Sequence, residues 1–441
     1  MKDAAMPRSS APFKIGLLDA MGYGNLGDAA IQDSVIANIK KRLPNAQIIG
    51  FSFVPEDTVK RHGIPCYPIS RPPGWGGAAT QKADRNGIAM LLKWPIQRIP
   101  RLANLTRKFE FLSQSYKVLR DLDILIFSGG GQLGDLWGGP WGHPYNILKF
   151  AFLAKLAGKQ VYFLNVGAET LEHWLSRFFV KSALRLADYV TFRDQESQTQ
   201  MWNLGVKTNN PVHPDPAYAL NVASYQDETE SYGSRPIVGI NPMGFCDPRV
   251  WPHKNPSAYE RYLEKLTNFS LWLLAEGYDL KLFPTSPGID KFAIADLEKR
   301  LAERFVPTPS HPQRAHSPGE GVRVVKCGSV DDILSEMSSC NYILTSKYHG
   351  VIFSHLLRKP VIAVGYHSKV DRAMRAAGQG RFSTRIEDFE TDWLIRSFQS
   401  AVHSRDEIRN QQAGAVAEYA RKLHQQFDKL FCQPIETPQP A

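Results

Sequence analysis

Two lysines and two histidines stand close together late in the chain, in Ser346-Lys347-Tyr348-His349-Gly350 and in Gly365-Tyr366-His367-Ser368-Lys369-Val370. An imidazole can move a proton near neutral pH, and an ammonium group holds anions. The surrounding pattern would bring both stretches to one edge of a sheet. Ile343-Leu344-Thr345 is a short apolar run that fits a buried strand. Residues 350–358 have apolar positions at helical spacing and are stopped by Pro360, and Val361-Ile362-Ala363-Val364 is a second buried strand ended by Gly365. A unit of this kind lays its strands parallel and close together. Ligands of open α/β sheets sit at the carboxyl ends of strands. Exposed helix N–H groups with Lys347, Lys369 and His349 would make a site for a small, multiply charged anion. The same residues also fit solvated loop lysines and a histidine that only caps a helix.

Length and composition bound the possibilities. At 441 residues the chain is long enough for two domains of ordinary size, and its 43% hydrophobic content is that of a globular protein. The five cysteines are scattered without a C-x-x-C pair, which points to a reducing compartment with neither disulfides nor structural zinc. The most apolar stretch, residues 147–166, is broken by Lys149, Lys155, Lys159 and Gln160, and no long apolar core precedes Gly22. A membrane span and a secretory signal are therefore not expected, and a cytoplasmic protein is. Residues 60–120 hold twelve Lys/Arg against only Asp84 and Glu110, as large an excess as the net +10 of the whole chain. A nucleic-acid binder would spread its charge along motif elements, and no such motif is present.

Further motifs lie at the ends of other apolar runs. A strand over residues 14–19 leads into Gly22-Tyr23-Gly24-Asn25-Leu26-Gly27-Asp28 and a helix to about residue 43. Taken literally this is a G-x-G-x-x-G dinucleotide fingerprint. Asp28 argues against it, because a carboxylate would stand where a pyrophosphate must sit, and Glu56 lies too far on to grip a ribose. A Gly-rich turn capped by Asp28 is the simpler reading. The buried strand Asp123-Ile124-Leu125-Ile126-Phe127 is followed by Ser128-Gly129-Gly130-Gly131, glycines that let backbone come close to a ligand or another loop. Asp135, Trp137, Trp141, His143 and Tyr145 follow, an aromatic loop suited either to stacking on sugar rings or to packing on itself. Helices and strands then alternate up to Phe192, where Arg193-Asp194-Gln195-Glu196-Ser197 opens another helix. His213-Pro214-Asp215-Pro216-Ala217 closes the first half.

Several of these motifs resemble those of the polysaccharide pyruvyl transferase family. S-K-Y-H-G followed by G-Y-H-S-K-V resembles its C-terminal signature, an R-x-H at a helix start and a lysine further on. G-Y-G-N-L-G-D resembles its opening motif, G-G-G with Asp135 its glycine motif, F-R-D-x-x-S its V-R-D-x-x-S, and P-D-P-A its namesake. Lys347 stands where the family usually has arginine, which keeps the charge and loses the bidentate fork. The resemblance implies transfer of an enolpyruvyl group from phosphoenolpyruvate to two sugar hydroxyls as a cyclic ketal. It implies a catalytic trio of His349, Arg193 and Lys369, with Arg193 and Lys369 holding the phosphate and carboxylate. Lys347, Gly24, Asn25, Asp28, Gly129, Gly130, Gly131 and Asp135 would bind substrate. No metal or redox cofactor is implied, and phosphoenolpyruvate is a co-substrate.

The fold expected is α/β, with two doubly wound Rossmann-like domains facing across a cleft in the manner of GT-B glycosyltransferases. The first would span residues 13–225 on the acceptor side, with the basic insertion at about 70–120. The second would span 236–400 on the phosphoenolpyruvate side. The polar stretch 222–235 would be the linker, and a charged helix at 404–431 could pack back on the first domain. Residues 306–322, with His311 and His316, fit a loop and no metal motif. Within the basic insertion, residues 88–105 mix apolar residues with Lys93, Arg98 and Arg101, and Pro95 and Pro100 break them into short pieces. This segment either covers the first domain with its apolar face or lies on an anionic membrane, at the inner face where lipid-linked oligosaccharide acceptors would be met. A nucleotide-sugar glycosyltransferase and a non-catalytic family member remain alternatives.

Overall fold

The computed structural model describes residues 12–18, 24–71, 100–136, 138–225, 235–304 and 321–432, with side chains from 106 on in the third stretch. Residues 1–11, 19–23, 72–99, 226–234, 305–320, 433–441 and Trp137 lie outside them, and with them Gly22 and Tyr23 of the opening motif and most of the stretches expected to be the linker and the 306–322 loop.

Two parallel sheets of six strands organise the chain. The first comprises β1 (Lys14–Leu18), β2 (Gln47–Ser52), β3 (Cys66–Pro68), β4 (Ile124–Ser128), β5 (Gln160–Val166) and β6 (Tyr189–Phe192), in the order β3-β2-β1-β4-β5-β6. The second comprises β7 (Ile237–Asn241), β8 (Asp279–Leu282), β9 (Val322–Val324), β10 (Tyr342–Thr345), β11 (Val361–Gly365) and β12 (Ser383–Arg385), in the order β12-β11-β10-β7-β8-β9. Each order is that of the doubly wound dinucleotide fold, and the order reverses between β1 and β4 and between β7 and β10. These are the two Rossmann-like domains expected. Their central strands read as unbroken apolar runs because helices cover both faces: every residue of β4, β10 and β11 is buried.

The helices are α1 (Leu26–Arg42), α2 (Pro55–His62), α3 (Pro100–Arg120), α4 (His143–Leu156), α5 (Trp174–Leu186), α6 (Gln195–Asn203), α7 (Pro256–Ala275), α8 (Pro287–Arg304), α9 (Val330–Ser338), α10 (Tyr348–Leu356), α11 (Ser368–Ala376), α12 (Thr391–His403) and α13 (Arg405–Phe431). Their starts are legible chemically. Pro55 and Pro256 open α2 and α7, where a missing N–H costs nothing. Ser329 and Asp332 form a reciprocal capping box at α9. Pro100, expected to break a helix, instead begins the long α3.

By density of contacts the described chain forms two bodies, one of residues 12–18 and 39–215, the other of residues 24–38 and 216–432. Most of α1 therefore groups with the second sheet although it follows the first strand of the first. In the second body α13 packs along the turn Pro216–Ala219 and α10; Gln412 donates to the Lys359 carbonyl at 2.9 Å, and the Tyr419 hydroxyl to that of Ala376 at 2.9 Å.

Among the described residues each body buries one neutral histidine. Burial holds the His143 imidazole down at about 4 and that of His355 at about 3. Below about pH 6.5 the unfolded chain takes up protons that these folded rings refuse, so stability falls as pH drops toward the folded values. At about pH 5 each ring should cost about 2 kcal/mol relative to neutral pH, from ~1.4 kcal/mol per pH unit. Urea titrations at about pH 7 and 5 should show this loss, and a His355→Gln variant should show a smaller one. An unchanged pH dependence in the variant would refute the assignment.

Candidate functional site

In the second body the site begins at the reversal point of the sheet, where β10 lies beside β7. The Thr345 hydroxyl donates to Asn241 Oδ1 at 3.0 Å and accepts from the Lys347 N–H at 3.1 Å, tying the two strand ends to the start of α10. Gly350 makes this possible, since a Cβ there would stand 2.2 Å from Thr345 Oγ1. Lys347 is the N-cap of α10, and His349 lies in its first turn, half-buried.

The His349 ring rests against the first turn of α1. A Cβ on Gly27 would fall 2.0 Å from His349 Nδ1, so any other residue there would have to push the ring aside. The turn is held by its own side chains and by the loop after β8. Asn25 Oδ1 accepts the Gly27 N–H at 3.0 Å, Asn25 Nδ2 donates to Asp28 Oδ2 at 2.6 Å, and the Leu26 N–H donates to the Thr285 carbonyl at 2.9 Å. Asp28 is buried, and Gly24 adopts a positive φ of 74°. The structure thus brings Gly24, Asn25 and Asp28 into the same body as His349.

Lys347 has a definite partner that the sequence did not suggest. Its Nζ lies 2.5 Å from Oδ1 of Asp290, a fully buried carboxylate at the head of α8. The other oxygen, Oδ2, accepts the N–H groups of Thr285 and Ser286 at 2.9 and 2.8 Å. Nothing in the sequence around Asp290 marks it as chemical.

Lys369 lies in the first turn of α11, 9% exposed, with its ammonium 5.3 Å from the centre of the Tyr366 ring. His367 caps that helix, Nδ1 accepting the Lys369 N–H at 3.3 Å. Because β10 and β11 pair in parallel, α10 and α11 start at the same edge of the sheet. The structure therefore brings Lys347, His349 and Lys369 to one edge, with two helix N-termini.

The remaining candidates belong to the first body. Gly129 and Gly130 take φ of 57° and 68°, backbone that other residues resist. Their loop is zipped to the one after β5 by Gly167 N–H to Gly130 at 2.7 Å and Leu133 N–H to Gly167 at 3.1 Å. Arg193 lies flat on Gly167, whose Cβ would meet Nε at 2.3 Å. Its side chain is 2% exposed and faces Asp215 Oδ2 at 3.3 Å and Asp194 Oδ2 at 3.7 Å. Asp194 also caps α6 through the Ser197 N–H at 2.8 Å. Gly131 adjoins Glu169, a further carboxylate that sequence reasoning passed over. Asp135 accepts from the Glu172 and His173 N–H groups at 3.2 and 3.0 Å and so clasps the approach to α5. Among the loop aromatics, Trp141 is exposed. His143 is buried, its Nε2 3.3 Å from Gln132 Oε1, and Gln132 in turn donates to the carbonyls of Leu18 and Ser128 at 3.3 and 3.2 Å.

A family model for polysaccharide pyruvyl transferase matches residues 25–368. The chain belongs to the polysaccharide pyruvyl transferase family. The match runs from Asn25 through the Gly129 loop, Arg193 and His349, and ends one residue before Lys369. None of the curated proteins matches. Solved structures share the fold. A putative UDP-N-acetylglucosamine 2-epimerase from Listeria monocytogenes has TM-score 0.57 at 10% identity, covering 98% of this chain and 100% of that one. The UDP-GlcNAc 2-epimerase from Neisseria meningitidis, bound to UDP-GlcNAc, has TM-score 0.56 at 11% identity, covering 96% and 100%. The N-terminal domain of Candida albicans trehalose-6-phosphate phosphatase has TM-score 0.55 at 12% identity, covering 96% and 97%. Among the described residues no cluster of three or more His, Cys, Asp or Glu could hold a metal ion, and no helix is long and apolar enough to cross a membrane.

Two outcomes follow for this pyruvyl transferase. Gly27→Ala should cost about 1–3 kcal/mol by overpacking against His349. Adding His349→Ala should recover much of that loss, so a double-mutant cycle read by urea unfolding should show strong coupling and additivity would contradict the contact. Lys347→Ala strands a buried carboxylate and should cost about 3–5 kcal/mol, with Asp290→Asn in the same chain easing it; a loss under about 0.5 kcal/mol would place the ion pair in doubt.

Proposed function

We propose that the enzyme transfers the enolpyruvyl group of phosphoenolpyruvate to two hydroxyls of a sugar in a polysaccharide or its precursor, forming a ketal and releasing phosphate. The observation that carries this reading is the convergence of His349, Lys369 and the N-termini of α10 and α11 on one edge of the second sheet. Phosphoenolpyruvate carries a phosphate and a carboxylate, and its binding needs cationic groups without excessive mutual repulsion. Helix N-termini supply partial positive charge that needs no counter-ion, and Lys369 adds a full one. Lys347 is neutralised by Asp290 and acts by fixing the start of α10.

In the reaction C3 of the enol gains a proton, giving an oxocarbenium-like centre at C2. A sugar hydroxyl attacks C2 and gives up its proton, the C2–O bond to phosphate breaks, and a second hydroxyl closes the ring. The two hydroxyl protons balance the one added at C3 and the one leaving with phosphate. His349 is the proton-transfer group, held in place by Gly27 on one side and its own helix on the other. Lys369 stabilises the anion and the departing phosphate. In the first body Arg193 is held by Asp215 and braces the glycine loop, the side assigned to the acceptor.

The test incubates the full chain with phosphoenolpyruvate and a panel of sugar acceptors and follows phosphate release. His349→Ala should lose about 10²–10⁴ of the rate, the usual worth of a positioned acid–base group. Lys369→Ala should mainly raise KM for phosphoenolpyruvate. Thermal stabilisation by a nucleoside diphosphate with none by phosphoenolpyruvate would overturn the proposal in favour of nucleotide-sugar chemistry.

A further inference from the structure

A helix at the surface of an α/β domain normally turns a polar face outward. In the first body α4 and α5, which pack side by side, do not. Beyond the stripes they bury, α4 exposes Phe152 and Leu156 and α5 exposes Trp174 and Phe178, with Trp141 in the turn before α4. Trp174 and Trp141 are the most open, at 69% and 66%. Of the nine large apolar residues exposed among those described, these are five, and a sixth, Phe109, lies on α3, which packs on α4. Ring contacts join part of the set: Trp141 lies 5.5 Å from Phe179, and Phe179 lies 5.9 Å from Phe178.

The charge on the same helices has one sign. The two helices carry Lys149, Lys155, Arg177, Lys181 and Arg185 and not one Asp or Glu. Lys149 is turned inward against Phe111, Tyr145 and Phe150, and Lys155 is paired with Asp188 at 2.8 Å. Arg177 and Arg185 are exposed on the same helix as Trp174 and Phe178, with Lys181 between them in sequence and half-buried. Exposed Trp, Phe and Leu with flanking Lys and Arg is the chemistry of a surface that lies in the headgroup region of a bilayer.

We propose that the α4–α5 face of the first body docks on an anionic lipid bilayer. Charge complementarity selects that occupant. Residues 72–99, the longest stretch outside the described chain, carry Lys82, Arg85, Lys93 and Arg98 against Asp84, so that segment is repelled by the same cations. A second copy of this face would bring like charge to like charge. An anionic membrane satisfies the aromatic residues and the cations together.

The experiment is co-sedimentation of the full chain with vesicles of phosphatidylcholine alone and of phosphatidylcholine with phosphatidylglycerol, at low salt and without substrate. The protein should pellet with the anionic vesicles and not with the neutral ones. Trp174→Ser with Phe178→Ser should reduce the bound fraction at least tenfold while circular dichroism and the unfolding midpoint stay unchanged. Arg177→Glu with Lys181→Glu should do the same. Binding that ignores lipid charge, no binding to either vesicle, or binding that both variants retain would overturn the proposal, the last by moving the contact to another part of the chain. A concentration-dependent dimer dissolved by the first variant would overturn it in favour of a second copy. Phosphate release on a water-soluble acceptor should be unaffected by these variants, which separates this inference from the reaction proposed above.

Discussion

An imidazole can lie against the backbone of a neighbouring helix only where the facing residue has no side chain. At Gly27 that condition holds, since a Cβ would overlap the His349 ring where it now lies. The contact explains why the opening glycine motif and the histidine motif, separated by most of the chain, belong to one body. It also accounts for the company around it. Asn25 and Asp28 hold the turn, Thr285 receives the Leu26 N–H, and the two N–H donors to Asp290 come from Thr285 and Ser286. Close packing without voids transmits such constraints, so a change at any of these positions is felt at the ring.

Charge in the two bodies is handled by pairing. Asp290 is fully buried and Arg193 nearly so, and each faces an opposite charge, from Lys347 and Asp215 respectively. Leaving either alone would be far more costly than the pair is favourable. The pairing also explains why lysine serves at position 347. Asp290 Oδ2 is already taken by two backbone N–H groups, which leaves Oδ1 alone to receive a side-chain donor. A guanidinium fork would have only one oxygen to grip there, so its bidentate advantage disappears.

Much of this was readable beforehand, for a physical reason. Buried parallel strands are continuous apolar runs, and Ile124 to Phe127 or Val361 to Val364 can hardly be anything else. Helix starts carry their caps, as at Asp194 and Ser329. What escaped was short or depended on distant neighbours. The three-residue edge strands β3 and β12 are below the length at which periodicity speaks. Pro100 reads locally as a breaker and acts as a first residue. Asp290 looks like any acidic residue until Lys347 arrives from far along the chain. His143, set among loop aromatics in the sequence, starts a helix and is buried.

Spectra of histidine-labelled protein test most directly whether His349 is the group that meets phosphoenolpyruvate. The resonances that vanish in His349→Ala should move when phosphoenolpyruvate is added, while those of buried His143 and His355 stay where they are. Saturable binding of phosphoenolpyruvate that leaves the His349 signals unmoved would contradict the account.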